Sequence, residues 1–209
     1  MRLYDSLVLP RLVDWACGME TVTEQRERII PRARGKVLEL GIGSGHNLPL
    51  YDPQRVRAVW GVDPSPELYR MAERRAAELP FRTRFFVRPA DEPGLAVGDG
   101  SIDTVVVTYA LCTIPDPAAA LAEAQRVLAA DGEILFAEHG RSPDPSVRRW
   151  QERVTPAWRR VAGGCRLDRD PVALLNAAGF RVTELDTGYL PGWKPASWHF
   201  LGVAVPADS

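Results

Sequence analysis

Cysteine is scarce in this chain of 209 residues: Cys17, Cys112 and Cys165 are the only three, an odd number scattered far apart. That excludes a disulfide-stapled scaffold and points to a reducing compartment. No pair has the CxxC spacing of a zinc site, so no metal is expected. Charge of one sign is also missing. The 26 Lys and Arg are offset by 27 Asp and Glu, a net charge of -1, which supplies no field to gather nucleic acid or an anionic membrane. Long apolar runs are missing too. The opening MRLYDSLVLPRLVDWACGM is interrupted by Arg2, Asp5, Pro10, Arg11 and Asp14, so it falls short of the roughly 20 apolar residues a membrane-spanning helix needs. It also lacks the continuous apolar centre and cleavage site of a signal peptide. The expectation is a cytoplasmic protein with no integral membrane segment and no nucleic-acid partner. There is no internal repeat and no low-complexity tract.

Hydrophobic residues make up 45% of the chain and charged residues 25%, the balance of a soluble globular protein. At a typical domain size of about 150 residues the length favours one domain with additions. Short Val-, Ile- and Leu-rich runs alternate with amphipathic segments, the pattern of βα units around a parallel sheet covered on both faces. The runs predict strands at Lys36–Leu40, Ala58–Val62, Arg84–Val87, Thr104–Thr108 and Glu133–Ala137. Helical spacing predicts crossover helices over Pro66–Leu79 and Pro117–Leu128, with Asp131-Gly132 as a turn before the next strand. Further helices are expected at Val147–Val161 and Asp170–Ala178, the latter ended by Gly179. Two late strands, Arg181–Leu185 and Trp198–Val205, are joined by a Gly- and Pro-rich loop, Thr187–Ala196. Residues 1–34 are expected to form an N-terminal helical cover, 35–140 the ligand-binding core, and 141–209 the substrate-side helices and last strands.

The strongest motif is VLELGIGSGHN, Val37 to Asn47, an apolar strand ending in Glu39 and Leu40 followed by Gly41, Gly43 and Gly45. Glycines allow a tight turn with positive φ and let the backbone approach a ligand closely. Asp63 ends the second strand, where a carboxylate can accept hydrogen bonds from ribose hydroxyls. A dinucleotide fingerprint reads GxGxxG; here the third glycine comes one position earlier, in ExGxGxG, which disfavours a nicotinamide-dependent oxidoreductase.

That pattern, with the acid after it, resembles the class I S-adenosylmethionine-dependent methyltransferases. DGSIDTVVVT and RVLAADGEILFAEHG resemble their fourth-strand motif and their last crossover helix with the fifth strand. The resemblance implies a Rossmann-like, mostly parallel seven-stranded sheet with helices on both faces and an antiparallel last strand. It implies S-adenosyl-L-methionine as cofactor, held by Glu39, Gly41, Gly43, Gly45 and Asp63, with Asp91 and the backbone of Ala90 at the adenine. Where the family usually reads AExLPF after the third strand, this chain has Asp91-Glu92-Pro93-Gly94. ALCTIPDP, AEHGRSPDPSVRRWQ and WRRVAGGC look like soluble bacterial relatives of the alkyl-thiol S-methyltransferases of animal microsomes. The acceptor implied is a small, fairly apolar molecule, a thiol first, with a phospholipid amine or a quinone-like carbon as alternatives. A non-catalytic cofactor-binding module shares the same loop, and oligomeric state is left open.

Ligands of open α/β sheets bind beyond the carboxyl ends of the strands. His139, after the fifth strand, is there a candidate general base, or else a brace for its loop. Tyr109, Cys112 and Trp150 are candidates for the substrate pocket. His46 is read as lying near the cofactor's amino-acid end or capping the following helix, and His199 as structural. The Arg148, Arg149, Arg153, Arg159 and Arg160 cluster reads as a solvated helix face.

Overall fold

The structure, a computed structural model, describes residues 4–207; Met1 to Leu3 of the expected N-terminal cover and Asp208 and Ser209 of the C-terminal part lie outside the described residues. A π-helical turn, Tyr4–Val8, leads into α1 (Leu9–Cys17) and α2 (Glu20–Ile29). Seven strands follow: β1 (Gly35–Leu40), β2 (Val56–Asp63), β3 (Arg82–Val87), β4 (Ile102–Thr108), β5 (Leu128–His139), β6 (Phe180–Tyr189) and β7 (Trp198–Pro206). They form one sheet in the order β3-β2-β1-β4-β5-β7-β6, with β7 antiparallel to both neighbours and the rest parallel. The fold class expected from the sequence is the one observed.

Alternation along the strands builds two cores. Leu38, Leu40, Val105, Val107, Ile134 and Phe136 face one side. There they meet Ala120, Leu121 and Ala124 of α4 (Pro117–Val127) and Leu175 of α6 (Pro171–Ala177). Val37, Val59, Val106, Leu135 and Val203 face the other side, against Ile29 of α2 and Ala72 of α3 (Pro66–Ala76). Both faces of the central strands are apolar because both are covered. Four helices start alike. Ser65, Asp116, Asp144 and Asp170 each cap a backbone N–H of the first turn, and each is followed by a proline, whose missing N–H costs nothing there.

Three local expectations are corrected. The segment after the glycine loop is a three-residue 3-10 turn, Leu48–Leu50, and no α-helix, because Pro49 and Pro53 interrupt it; His46 therefore has no helix to cap. Asp131-Gly132 belongs to a bulge in β5: Ile102 pairs with Leu128 and Thr104 with Glu133, leaving Ala129 to Gly132 unmatched. The expected loop from Thr187 is shorter, since β6 continues to Tyr189 against Trp198.

Candidate active site

The strand order reverses between β1 and β4, and a cavity of about 340 Å³ opens at their carboxyl ends. Its floor is the glycine loop. Gly41 has φ +72°, and a Cβ there would lie 2.5 Å from the Cβ of Ala110 after β4. Gly45 has φ +84°, and a Cβ would lie 3.1 Å from Cα of Ala72 on α3. Gly41→Ala is expected to lower stability by about 2 kcal/mol or more, from left-handed backbone strain plus that collision, read as a lower urea midpoint at unchanged slope.

Asp63 holds the loop from the neighbouring strand. Its Oδ2 accepts the N–H of Gly43 at 3.0 Å and its Oδ1 that of Ser65 at 2.8 Å. Burial pushes its carboxyl up, against these two bonds. Glu39, 1% exposed, accepts from Asn47 Nδ2 at 2.8 Å and from Tyr51 Oη at 2.7 Å. Burial raises it to about 7. Ala90 and Asp91 also line the cavity, and Asp91 Oδ2 accepts the N–H of Asp116, the cap of α4, at 3.0 Å.

Other wall residues come from α1, Leu9, Pro10 and Val13, and from the turn after α5 (Pro145–Val161), Ala162 and Gly163, the last packed against Leu9. His46 ties α1 to the glycine loop, with Nε2 3.0 Å from the Asp14 carbonyl and 3.0 Å from its carboxylate. Burial lowers its pKa. Tyr109 lines the cavity with φ +55°, rare for a residue other than glycine. Its hydroxyl is 2.5 Å from Nε2 of His199, and the Arg26 guanidinium lies 4.9 Å from its ring centroid. Burial lowers His199 to about 4, so this ring is a neutral partner that fixes the tyrosine and has more than a packing role.

The structure thus gathers Glu39, Gly41, Gly43, Asp63, Ala90, Asp91 and Tyr109 around one cavity, with Gly45 packed beneath the loop. Three candidates stand apart. Trp150 is 60% exposed on α5. Cys112 is buried behind Tyr109, its Sγ 3.5 Å from that residue's carbonyl. His139 does not line the cavity: its Nε2 is 3.3 Å from Sγ of Cys165, because β5 ends behind the wall. Burial, the largest influence on that imidazole, opposes its charge, but Cys165 and Glu138 outweigh it and hold the pKa up. The Cys112 thiol and His139 hold Cys165 well below the usual thiol range. Arg149, Arg153, Arg159 and Arg160 are exposed along α5 as expected of a solvated face, whereas Arg148 is half-buried and donates to the carbonyls of Ser142 and Pro143.

Two residues that sequence reading missed complete the wall. Arg26 is only 4% exposed, and it donates to the Cys17 carbonyl. With Gln25 it shares the buried face of α2 set by Val22 and Ile29; polar residues on an apolar stripe were the available signal. Asn47, 1% exposed, bridges Glu39 and Thr108. Two buried polar atoms of this wall have no hydrogen-bond partner among the described residues, the acceptor Oδ1 of Asn47 and the donor Nε of Arg26. Buried polar groups are normally paired, and these two leave one acceptor and one donor free in the cavity wall.

Comparison with known proteins shows the family and the fold. Residues 19–185 match the family described as a methyltransferase domain. The chain is 35% identical over 181 residues to thiol S-methyltransferase TMT1B of Homo sapiens, covering 83% of this chain and 72% of that protein. It is also 35% identical over 105 residues to phosphatidylethanolamine N-methyltransferase of Cereibacter sphaeroides, about half of each. Among solved structures, a geranyl diphosphate methyltransferase in complex with SAM superposes with TM-score 0.69 at 14% identity, covering 88% of this chain and 85% of that one.

Proposed function

Because this chain belongs to the S-adenosylmethionine-dependent methyltransferases, we propose that it methylates the sulfur of a small, apolar thiol in the cavity at the β1 and β4 strand ends. The observation that carries this reading is the pairing of a carboxylate-braced glycine loop on one side with an apolar wall on the other. When bound, the cofactor supplies an electrophilic methyl group on a sulfonium, open to in-line attack by a nucleophile.

The remaining work falls to the chain. Asp63, already oriented by Gly43 and Ser65, offers its spare lone pairs to the ribose hydroxyls. Asn47 Oδ1 and Glu39 suit the cofactor's ammonium, and Arg26 Nε its carboxylate, which would satisfy both unpartnered atoms. Ala90 and Asp91 border the adenine end. Leu9, Pro10 and Val13, with Ala162 and Gly163 beside them, exclude water and suit an apolar acceptor.

A thiol needs little else. The thiolate is the attacking form; a cysteine-like thiol of pKa near 8.5 is a few per cent ionised at neutral pH and an apolar alkyl thiol less, so a positive charge in the wall such as that of Arg26 favours the reactive form. Among the described residues, the one imidazole lining the cavity, His46, is engaged with Asp14. Acceptance therefore rests on positioning in a near-attack geometry rather than on a side-chain base. Tyr109, fixed by His199 and Arg26, keeps that wall rigid.

The test is a product survey with a labelled methyl donor and matched panels of alkyl and aryl thiols, phospholipid amines, and quinols. Thioether products should dominate. A profile dominated by methylated amine or by ring-methylated product would overturn the acceptor assignment and favour the phospholipid or quinone reading respectively.

A further inference from the structure

We propose that Cys112, His139 and Cys165 form a three-ligand site for Zn2+ that clamps the end of α5 to the sheet. The two sulfurs and an imidazole nitrogen lie within 4.8 Å of one another, and Cys165 Sγ is 3.3 Å from His139 Nε2. Around tetrahedral zinc, with bonds of about 2.3 Å to sulfur and about 2.0 Å to nitrogen, ligand atoms stand about 3.5 to 3.8 Å apart. The Cys165–His139 pair is within a few tenths of an ångström of that spacing and no pair exceeds it by more than about 1 Å, so an ion between them needs only small side-chain rotations. Two thiolates and a neutral imidazole also cancel the charge of the cation, the condition for burying it.

The site is preorganised by its backbone. Cys112 sits on the loop after β4, where Glu138 accepts the N–H groups of Ala110 and Leu111 at 2.7 and 2.9 Å. The carbonyl of Cys112 in turn accepts the N–H of Arg166 at 2.8 Å, which fixes the Cys165 segment against it. Leu167, Val154, Trp158 and Ala162 wall the cluster in apolar side chains. A disulfide would use the two sulfurs and leave His139 without a role; a general base would need to line the cavity, which His139 does not. Metal binding uses all three groups. Linear spacing could not show it, since each ligand comes from a different segment.

Ala162 and Gly163, three and two residues before Cys165, line the cavity, so the clamp would hold one wall of the acceptor space. Three protein ligands leave a fourth position for water or another donor.

The experiment is elemental analysis and Zn2+ titration of the reduced full chain, alongside Cys165→Ser and Cys112→Ser. Wild type should retain about one equivalent per chain, and each variant should bind at least about tenfold more weakly. Co2+ in place of zinc should give a thiolate-to-metal charge-transfer band whose intensity falls by about half or more in Cys165→Ser, which retains one thiolate. Chelation should lower the melting temperature of wild type and leave that of the variant unmoved. Cooperative thermal unfolding of each variant establishes that it is folded. A reduced, folded wild type that takes up no zinc, or a Cys165→Ser variant that binds it equally well, overturns the proposal.

Discussion

Replacing Asp63 by alanine is expected to weaken binding of S-adenosylhomocysteine by about 100-fold. The carboxylate ends β2 directly beneath the glycine loop, and both its oxygens are committed to backbone N–H groups, Gly43 at 3.0 Å and Ser65 at 2.8 Å. Those bonds fix its orientation and leave lone pairs for a ribose diol. A hydrogen bond to a charged group contributes about 1.5 to 3 kcal/mol net. Losing one or two such bonds gives roughly 3 kcal/mol, and each 1.4 kcal/mol is about tenfold in affinity. Alanine also releases Gly43 and Ser65, so part of the loss comes from a looser loop. Asp63→Asn separates the two effects, because its amide oxygen can still accept one of the backbone bonds. Calorimetric titration reads both variants. An affinity for Asp63→Ala within about threefold of wild type would remove the residue from the cofactor site.

Much of this site is legible in the residues because its parts are local. A glycine with positive φ must be adjacent in sequence to the strand it ends, and the acid that braces it ends the next strand, so Gly41, Gly43 and Asp63 announce themselves by spacing. The strands are legible for a similar reason: buried on both faces, they read as unbroken apolar runs, as in IDTVVVT. What spacing misses is tertiary. Arg26 and Glu138 are charged residues buried by the packing of separate elements; the apolar stripe of α2 hints at the burial of Arg26, but no window of sequence shows which site it reaches. Cys112, His139 and Cys165 meet only because β4, β5 and the end of α5 converge. Trp150 shows the opposite error, since an aromatic residue on an amphipathic helix was read as a pocket wall and is mostly exposed. The bulge at Ala129 to Gly132 was misread because Asp-Gly favours a turn wherever the chain can leave the sheet, whereas here pairing with β4 resumes at Glu133.

Cofactor affinity should rise steeply with pH up to neutrality, and Glu39 is the reason. Its carboxylate is 1% exposed and raised to about 7 by burial, with Tyr51 and Asn47 donating to it and Arg26 favouring its charge, while Asp63 opposes it. At pH 5 the unliganded protein therefore carries Glu39 protonated. If the cofactor's ammonium is held by the ionised form, binding must expel that proton, and the apparent affinity falls about tenfold for each pH unit below 7, or about 100-fold at pH 5 relative to pH 8. Stability of the unliganded chain runs the other way. Between the ordinary 4.5 and about 7 the native state holds more protons than the unfolded chain, so the contribution of Glu39 is full below 4.5 and is lost as pH rises through 7. The two slopes have opposite signs, which separates this carboxylate from a general acid unfolding of the protein. Calorimetry at pH 6 in buffers of different ionisation enthalpy should show close to one proton released per S-adenosylhomocysteine bound. Glu39→Gln should bind more weakly at pH 8, release no proton and lose the pH dependence between 5 and 7. A wild-type affinity that is flat across that range would mean the cofactor's charged end lies away from Glu39, and Asn47 and Arg26 would have to hold it without that carboxylate.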